Sequence, residues 1–227
     1  MTDAGLLRTP LHQWHVDHDG RMVDFAGWSM PVQYKSIVSE HQATRTGIGL
    51  FDISHMGRLR FDGEGSAAFL DQLLTRRVVG IRAGLIRYSL IVNETGGILD
   101  DVLVYHLHEL NGAAYYMLVV NASNREKIVD WIQGHLTSEH DVRFEDQTTD
   151  TAMIAIQGPN AIKLVEPLVD TSVSALKYYS GAVTRIRGTT GIVSRTGYTG
   201  EDGCELIVPA SDAAPLWEQL AEEGAAL

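Results

Sequence analysis

Apolar residues recur at steps of three and four along several stretches of the chain, the spacing that lines one face of a helix. That pattern predicts helices over Ser36–Thr46, Ser66–Arg76, Arg125–Leu136, Pro159–Val169 and Asp212–Glu223. Their starts carry matching signals. Ser123 with Glu126 reads as a capping box, Pro159 after Gly158 suits a first helical turn, and Ser211 can cap the last helix. Elsewhere, runs rich in β-branched and aromatic residues predict strands over Arg58–Phe61, Arg87–Val92, Ile98–His106, Tyr115–Val120, Thr151–Ile156, Ala182–Arg187 and Gly203–Val208. Short connections between several of these favour antiparallel pairing. The expected fold class is therefore α+β, largely antiparallel sheets with packed helices, rather than a doubly wound parallel sheet.

The 227 residues, 44% of them hydrophobic, suffice for one large domain or two closely packed ones. Lys and Arg number 18 against 29 Asp and Glu, a formal net charge of −11. Such a balance disfavours non-specific binding to nucleic acid or acidic lipid, but leaves room for a small anionic ligand beside a local basic group. No apolar run is long enough to span a membrane, and MTDAGLLRTPLHQW lacks the basic-then-apolar order of a signal peptide, so a soluble intracellular protein is expected. Cys204 is the sole cysteine, which excludes an intrachain disulfide and a four-thiolate metal site; it reads as a small buried residue.

In NETGGILDD (Asn93–Asp101), Asn and Gly explain the turn, because they tolerate positive φ. The adjacent carboxylates need another account. Side chains alternate across a strand, so Asp100 groups with Ile98, Val102 and Val104, and Asp101 with Leu99, Leu103 and Tyr105. At least one must meet apolar surroundings, which is costly unless it is paired. The pair marks either a functional site or an edge-strand face or turn cap.

SRTGYTGEDG (Ser194–Gly203) fits neither the dinucleotide fingerprint nor the P-loop, and reads as a turn between strands. His12, His15 and His18 fall three apart and His106 and His108 share a strand face, yet neither group has carboxylate or cysteine companions, so no metal is expected. No GxSxG elbow supports a serine triad. DFAGWSMPVQY (Asp24–Tyr34) reads as a packed aromatic loop, in the core or lining a pocket for a flat ring. In FDISHMG (Phe51–Gly57), His55 reads as a histidine near the core and Met56 as a gap-filler.

Together and in order, RMVDFAGWSMPVQY, GLFDISHMG, NETGGILDD, VVNA (Val119–Ala122), IQGP (Ile156–Pro159) and SRTGYTGEDG resemble the aminomethyltransferase, or T-protein, of the glycine cleavage system, in its N-terminal folate-binding portion. The resemblance implies a tetrahydrofolate-dependent transferase with two interleaved subdomains, about 1–53 plus 147–227 and about 54–146. Its partner would be the lipoylated H-protein, whose aminomethyl group yields ammonia and 5,10-methylenetetrahydrofolate. Asp101 matches the family's principal catalytic position, leaving Asp100, on the opposite strand face, a structural role. Glu205 matches the carboxylate that receives the pterin's adjacent N–H donors, a pairing with charge-assisted geometry. Tyr88, Asn121 and Tyr198 match positions near the folate, where hydroxyl and amide groups fix a ring's orientation. Met56 matches a contact to the ring, where a thioether suits an aromatic face. Family members continue through an arginine-containing segment and a C-terminal β-rich domain, whereas this chain stops at Leu227.

The localisation implied is cytoplasmic, or the mitochondrial matrix in a eukaryote, although no transit peptide is seen. Two other readings share these motifs. One is the folate domain of a dimethylglycine- or sarcosine-oxidising enzyme; the chain's own starting methionine and lack of a dinucleotide fingerprint speak for the stand-alone transferase. The other is a non-enzymatic folate-binding accessory protein of the iron–sulfur or RNA-modification type, against which FDISHMG and GGILDD favour the transferase.

Overall fold

The structure, a computed structural model, describes residues 5–226. In chain order the elements are α1 (His12–Asp17), β1 (Met22–Phe25), β2 (Trp28–Pro31), α2 (Ile37–Thr46), β3 (Gly49–Asp52), β4 (Gly57–Asp62), α3 (Ser66–Leu73), β5 (Ile86–Val92), β6 (Ile98–His108) and β7 (Ala114–Val120). They continue with α4 (Arg125–His135), β8 (Arg143–Asp146), β9 (Thr151–Gln157), α5 (Ala161–Val165), β10 (Gly181–Ile186), β11 (Thr189–Ser194), β12 (Gly203–Pro209) and α6 (Ala213–Gly224). The fold is α+β with antiparallel strand pairing, as the spacing predicts.

The chain divides into two compact units. Unit 1 takes the chain up to His55, Thr149–Tyr178 and the residues from Thr184 on; unit 2 takes Met56–Thr148 with Tyr179–Val183.

Unit 1 holds a five-stranded sheet in the order β10-β11-β12-β9-β3 and a separate β1–β2 hairpin. Its interior strand β9, TAMIAIQ, is apolar at nearly every position because both faces are covered. Helix α6 buries Ala213, Leu216, Trp217 and Leu220, spaced to share one face. They pack with Leu164 and Val165 of α5 and with Ile154, Ile156, Leu206 and Val208 of the sheet. Each fully buried Leu or Ile contributes about 1.5–3 kcal/mol by leaving water.

Unit 2 is a second five-stranded sheet, ordered β5-β6-β7-β4-β8. Leu59, Phe61, Val102, Val104, Leu118 and Val120 meet Phe69 and Leu70 of α3 and Ile128 and Ile132 of α4. Residues 179–183 join this unit, with Ile86 N donating to Tyr179 O at 2.9 Å and Gly181 N to Gly84 O at 2.9 Å.

Several local expectations change. DFAGWSMPVQY opens with a hairpin rather than a loop: Phe25 pairs with Trp28, and Ala26 and Gly27 make the two-residue turn at φ of 53° and 79°. Positive φ at both turn residues matches the twist of the flanking strands. The helix expected to reach Arg76 stops at Leu73, because Thr75 N bonds Leu90 O at 2.9 Å and Leu74 bridges Ile91. The capping box at Ser123 does not form. Residues 122–124 make a 3-10 turn, and Asn124 stands at the N-cap of α4 without capping its backbone N–H groups, its side-chain nitrogen being engaged elsewhere. Ser211 likewise lies in a 3-10 turn, and the helix after Pro159 begins only at Ala161. Ser36 does cap α2, accepting from Ser39 N at 3.1 Å. Among the described residues no helix is long and apolar enough to cross a membrane.

Candidate functional site

In unit 2, strands β4, β7 and β6 bring their chemistry to one end of the ladder. Gly57 pairs with Val120 and Leu103 with Val119, so Met56, Asn121 and Asp101 all lie where the ladder runs out. Asp101 is half-buried, while Asp100 is only 2% exposed on the face of Val102 and Val104. Beside them Ile91 pairs with Asp100 but Val92 with Ile98, leaving Leu99 as an extra residue, a bulge of the kind that re-aims neighbouring side chains.

Strand alternation alone would part the two carboxylates; Asn121 meets both. Its side-chain nitrogen lies 2.9 Å from each of Asp100 Oδ1, Asp101 Oδ1 and the Asp101 carbonyl oxygen. Its backbone N–H donates to Asp100 Oδ2 at 3.0 Å. Asn124 Nδ2 donates to Asp100 Oδ1 at 2.5 Å, and Lys127 Nζ to Asn124 Oδ1 at 2.9 Å. Tyr88, on β5 and 40% exposed, completes the group. Partial burial first, and then the neighbouring Asp101 carboxylate, raise its hydroxyl above the ordinary phenol value. Met56 is half-buried, and its carbonyl accepts from Arg58 Nη1 at 2.5 Å. Asn124 has no place in the sequence reading; its signal was its position three residues after Asn121.

In unit 1, Glu205 sits on β12 opposite Ala155 and Ser194. Burial pushes its carboxyl above the ordinary value, opposed by a hydrogen bond from Thr196 Oγ1. Among the described residues that is the one donor its side chain receives. Tyr198 stands at 78% exposure in the glycine-rich turn between β11 and β12.

That turn is built around a residue the sequence reading missed. Buried Gln157 donates from Nε2 to Thr196 O at 3.1 Å and Cys204 O at 3.3 Å, and accepts from Thr199 Oγ1 at 3.0 Å. A Cβ on Gly197 would come within 2.1 Å of Gln157 Oε1, and one on Gly203 within 2.3 Å of Ile156 O, so this close approach needs glycine at both places.

The histidines of α1 separate to different partners. His12 Nε2 lies 3.1 Å from Ser29 Oγ, and His18 stacks on Trp14 with centroids 3.8 Å apart. His15 Nε2 donates to Asp52 Oδ2 at 3.0 Å, and His15 Nδ1 is 2.6 Å from the Tyr34 hydroxyl. Among the described residues no group of three or more His, Cys, Asp or Glu is placed to hold a metal. A cavity of ≈530 Å³ in unit 1 is lined by His15, Tyr34, Glu40, Arg45, Phe51 and Trp217 among others; it borders the end of DFAGWSMPVQY but holds none of the residues matched to catalytic or folate positions. Two of its charged groups are already engaged: Glu40 Oε1 accepts from Tyr34 N at 2.8 Å, and Arg45 pairs with Glu201 at 2.8 Å.

Against known proteins, a model of the family described as the GCVT N-terminal domain matches residues 11–227. An aminomethyltransferase from Geobacillus kaustophilus (strain HTA426) is 45% identical over 221 residues, 97% of this chain and 59% of that protein. One from Rubrobacter xylanophilus is 45% identical over 221 residues, 97% of this chain and 58% of that protein. The chain thus spans less than two thirds of the length of these relatives. Among solved structures, the glycine cleavage system aminomethyltransferase T from Bartonella henselae superposes with a TM-score of 0.85 at 31% identity, over 95% of this chain and 57% of that one. A heterotetrameric sarcosine oxidase from Corynebacterium sp. U-96 gives a TM-score of 0.64 at 14% identity, over 96% of this chain and 95% of that one, a likeness of fold alone.

Proposed function

The chain belongs to the GCVT N-terminal domain family, and on that premise we propose that it moves an aminomethyl-derived one-carbon unit from the lipoyl arm of an H-protein to tetrahydrofolate. Ammonia and 5,10-methylenetetrahydrofolate are the products. The observation that carries this reading is the arrangement at the end of the unit 2 ladder, where Asp101 takes an N–H from Asn121 and lies beside the Tyr88 hydroxyl. A half-buried carboxylate so held keeps acceptor capacity for a reacting group. It can take up or pass on a proton as ammonia departs, and stabilise positive charge that develops next to it.

Tetrahydrofolate supplies the nitrogens that receive the carbon. Glu205 fits the donor edge of a pterin: it is buried, and one internal hydrogen bond leaves most of its acceptor capacity for two adjacent N–H groups. Met56 and Tyr198 offer a thioether and an aromatic ring to a flat ligand, and Asn121 an amide to its polar groups. The names of the relatives at 45% identity support the transfer chemistry.

The test is formation of methylenetetrahydrofolate from aminomethyl-loaded H-protein. Asp101→Asn keeps the side chain's shape and removes its charge, so the rate should fall by roughly 10² to 10⁴ with the fold intact. Wild-type turnover by that variant would sink the reading.

A further inference from the structure

We propose that Asp100 is a positioning residue for Asp101, acting through the side chain of Asn121; the proposal rests on Asp101 being the reacting carboxylate. Asp100 is nearly inaccessible, on the apolar face that β6 turns toward Val102 and Val104. A buried carboxylate is tolerated only when its lone pairs are taken up. Here Asn121 N, Asn121 Nδ2 and Asn124 Nδ2 do so, at 3.0, 2.9 and 2.5 Å.

Those bonds decide how Asn121 stands. Two carboxylate oxygens and a carbonyl surround its amide, so the nitrogen, and not the oxygen, must face them. One N–H is anchored on Asp100, and the other is thereby turned toward Asp101. Asp100 also accepts from the backbone N–H of the same residue, which fixes the start of the turn that carries Asn121. An NH₂ group placed between the two carboxylates offsets their mutual repulsion, and Lys127 adds positive charge behind Asn124. The adjacent aspartates thus form one device: the buried one sets the amide, and the amide sets the half-buried one.

Asp100→Asn preserves volume but turns an NH₂ toward the donors of Asn121 and Asn124. It should lower kcat roughly tenfold to a hundredfold, the usual loss when a group that orients a reacting side chain is removed. The KM for tetrahydrofolate should change little, since the interaction lost acts in the transition state rather than in ground-state binding. A role confined to stability would leave the kcat of Asp100→Asn, the Asn121 amide signal and the kcat of Asn124→Ala unmoved. In an Asn121→Ala background, Asp100→Asn should cost no further turnover, because the link it acts through is gone. The Asn121 side-chain amide signal in a ¹⁵N–¹H spectrum, identified by its absence from Asn121→Ala, should shift and lose exchange protection in Asp100→Asn. Asn124→Ala, which removes one donor to Asp100, should lower kcat in the same direction by a smaller factor.

Folded Asp100→Asn with wild-type kcat, or losses that multiply in the double variant, would overturn the proposal. If Asp100→Asn does not fold, an unchanged Asn121 signal and kcat in Asn124→Ala overturn it instead. Failure of the underlying reaction reads differently: Asp101→Asn then turns over normally, and the Asn121 amide signal still reports whether Asp100 holds that side chain.

Discussion

Asp52 and Glu205 lie in the same unit, on the two strands that flank β9, and each is less than a tenth exposed. Burial raises the pKa of any carboxyl, yet the two end on opposite sides of their ordinary values. At Asp52, burial is outweighed by hydrogen bonds from His15, Ser54 and Thr9, and the carboxyl is held low. At Glu205, Thr196 alone opposes burial, and the carboxyl stays high. The first is satisfied by its own chain; the second is not. Burial alone therefore does not set the direction in which a carboxyl shifts, whereas the number of internal donors does.

The largest effect should come from the satisfied acid. Asp52→Asn sets an NH₂ against either the Thr9 and His15 donors or the Ser54 N–H, and should cost about 3–5 kcal/mol, as when one member of a buried pair is removed. Urea unfolding measures it, and a loss below about 1 kcal/mol would erase the contrast. Glu205→Gln should leave folding stability nearly unchanged but weaken tetrahydrofolate binding by about 1–3 kcal/mol, the cost of unmatched donors. Calorimetry giving equal affinities would remove Glu205 from the proposed site.

Acid titration sharpens the comparison through signs. The folded value of Asp52 lies below its ordinary 3.8, so its contribution is complete above 3.8 and is lost as pH falls through the folded value. The folded value of Glu205 lies above its ordinary 4.5, so its contribution is complete below 4.5 and is lost as pH rises through the folded value. Melting temperature against pH should therefore lose its rise on mild acidification in Glu205→Gln, and its fall in stronger acid in Asp52→Asn. The smallest expected effect is Tyr34→Phe, which removes the hydroxyl beside His15 Nδ1 and should cost about 0.5–1.5 kcal/mol in the same unfolding assay.

Much of the scaffold was legible because it follows local rules. The spacing of Ala213, Leu216, Trp217 and Leu220 makes α6, and the alternation around Val102 and Val104 makes β6. The Ala26–Gly27 hairpin was hidden by its density of aromatic residues, and Ala at a position of positive φ is a weak turn signal. The candidate site was legible as residues rather than as a network. Pairing Asp100 with Asn121 and Asn124, or Gln157 with the Thr196–Thr199 turn, depends on strand register across tens of residues, which periodicity does not encode. The return of residues 179–183 to unit 2 rests on backbone bonds at Gly84 and Ile86 and leaves no mark in composition.

The interleaving of the two units also bears on how the chain can assemble. Ser54 and Met153, joined by hydrogen bonds in both directions, are 99 positions apart, so β3 leaves the ribosome long before the strand it must pair with. Nearly everything between them, Met56–Thr148, belongs to unit 2, and compaction of that segment would shorten the loop that β3 and β9 have to close. Until β9 is made, β3 lacks the one strand it pairs with in the sheet, and an unpaired strand is open to pairing with another chain.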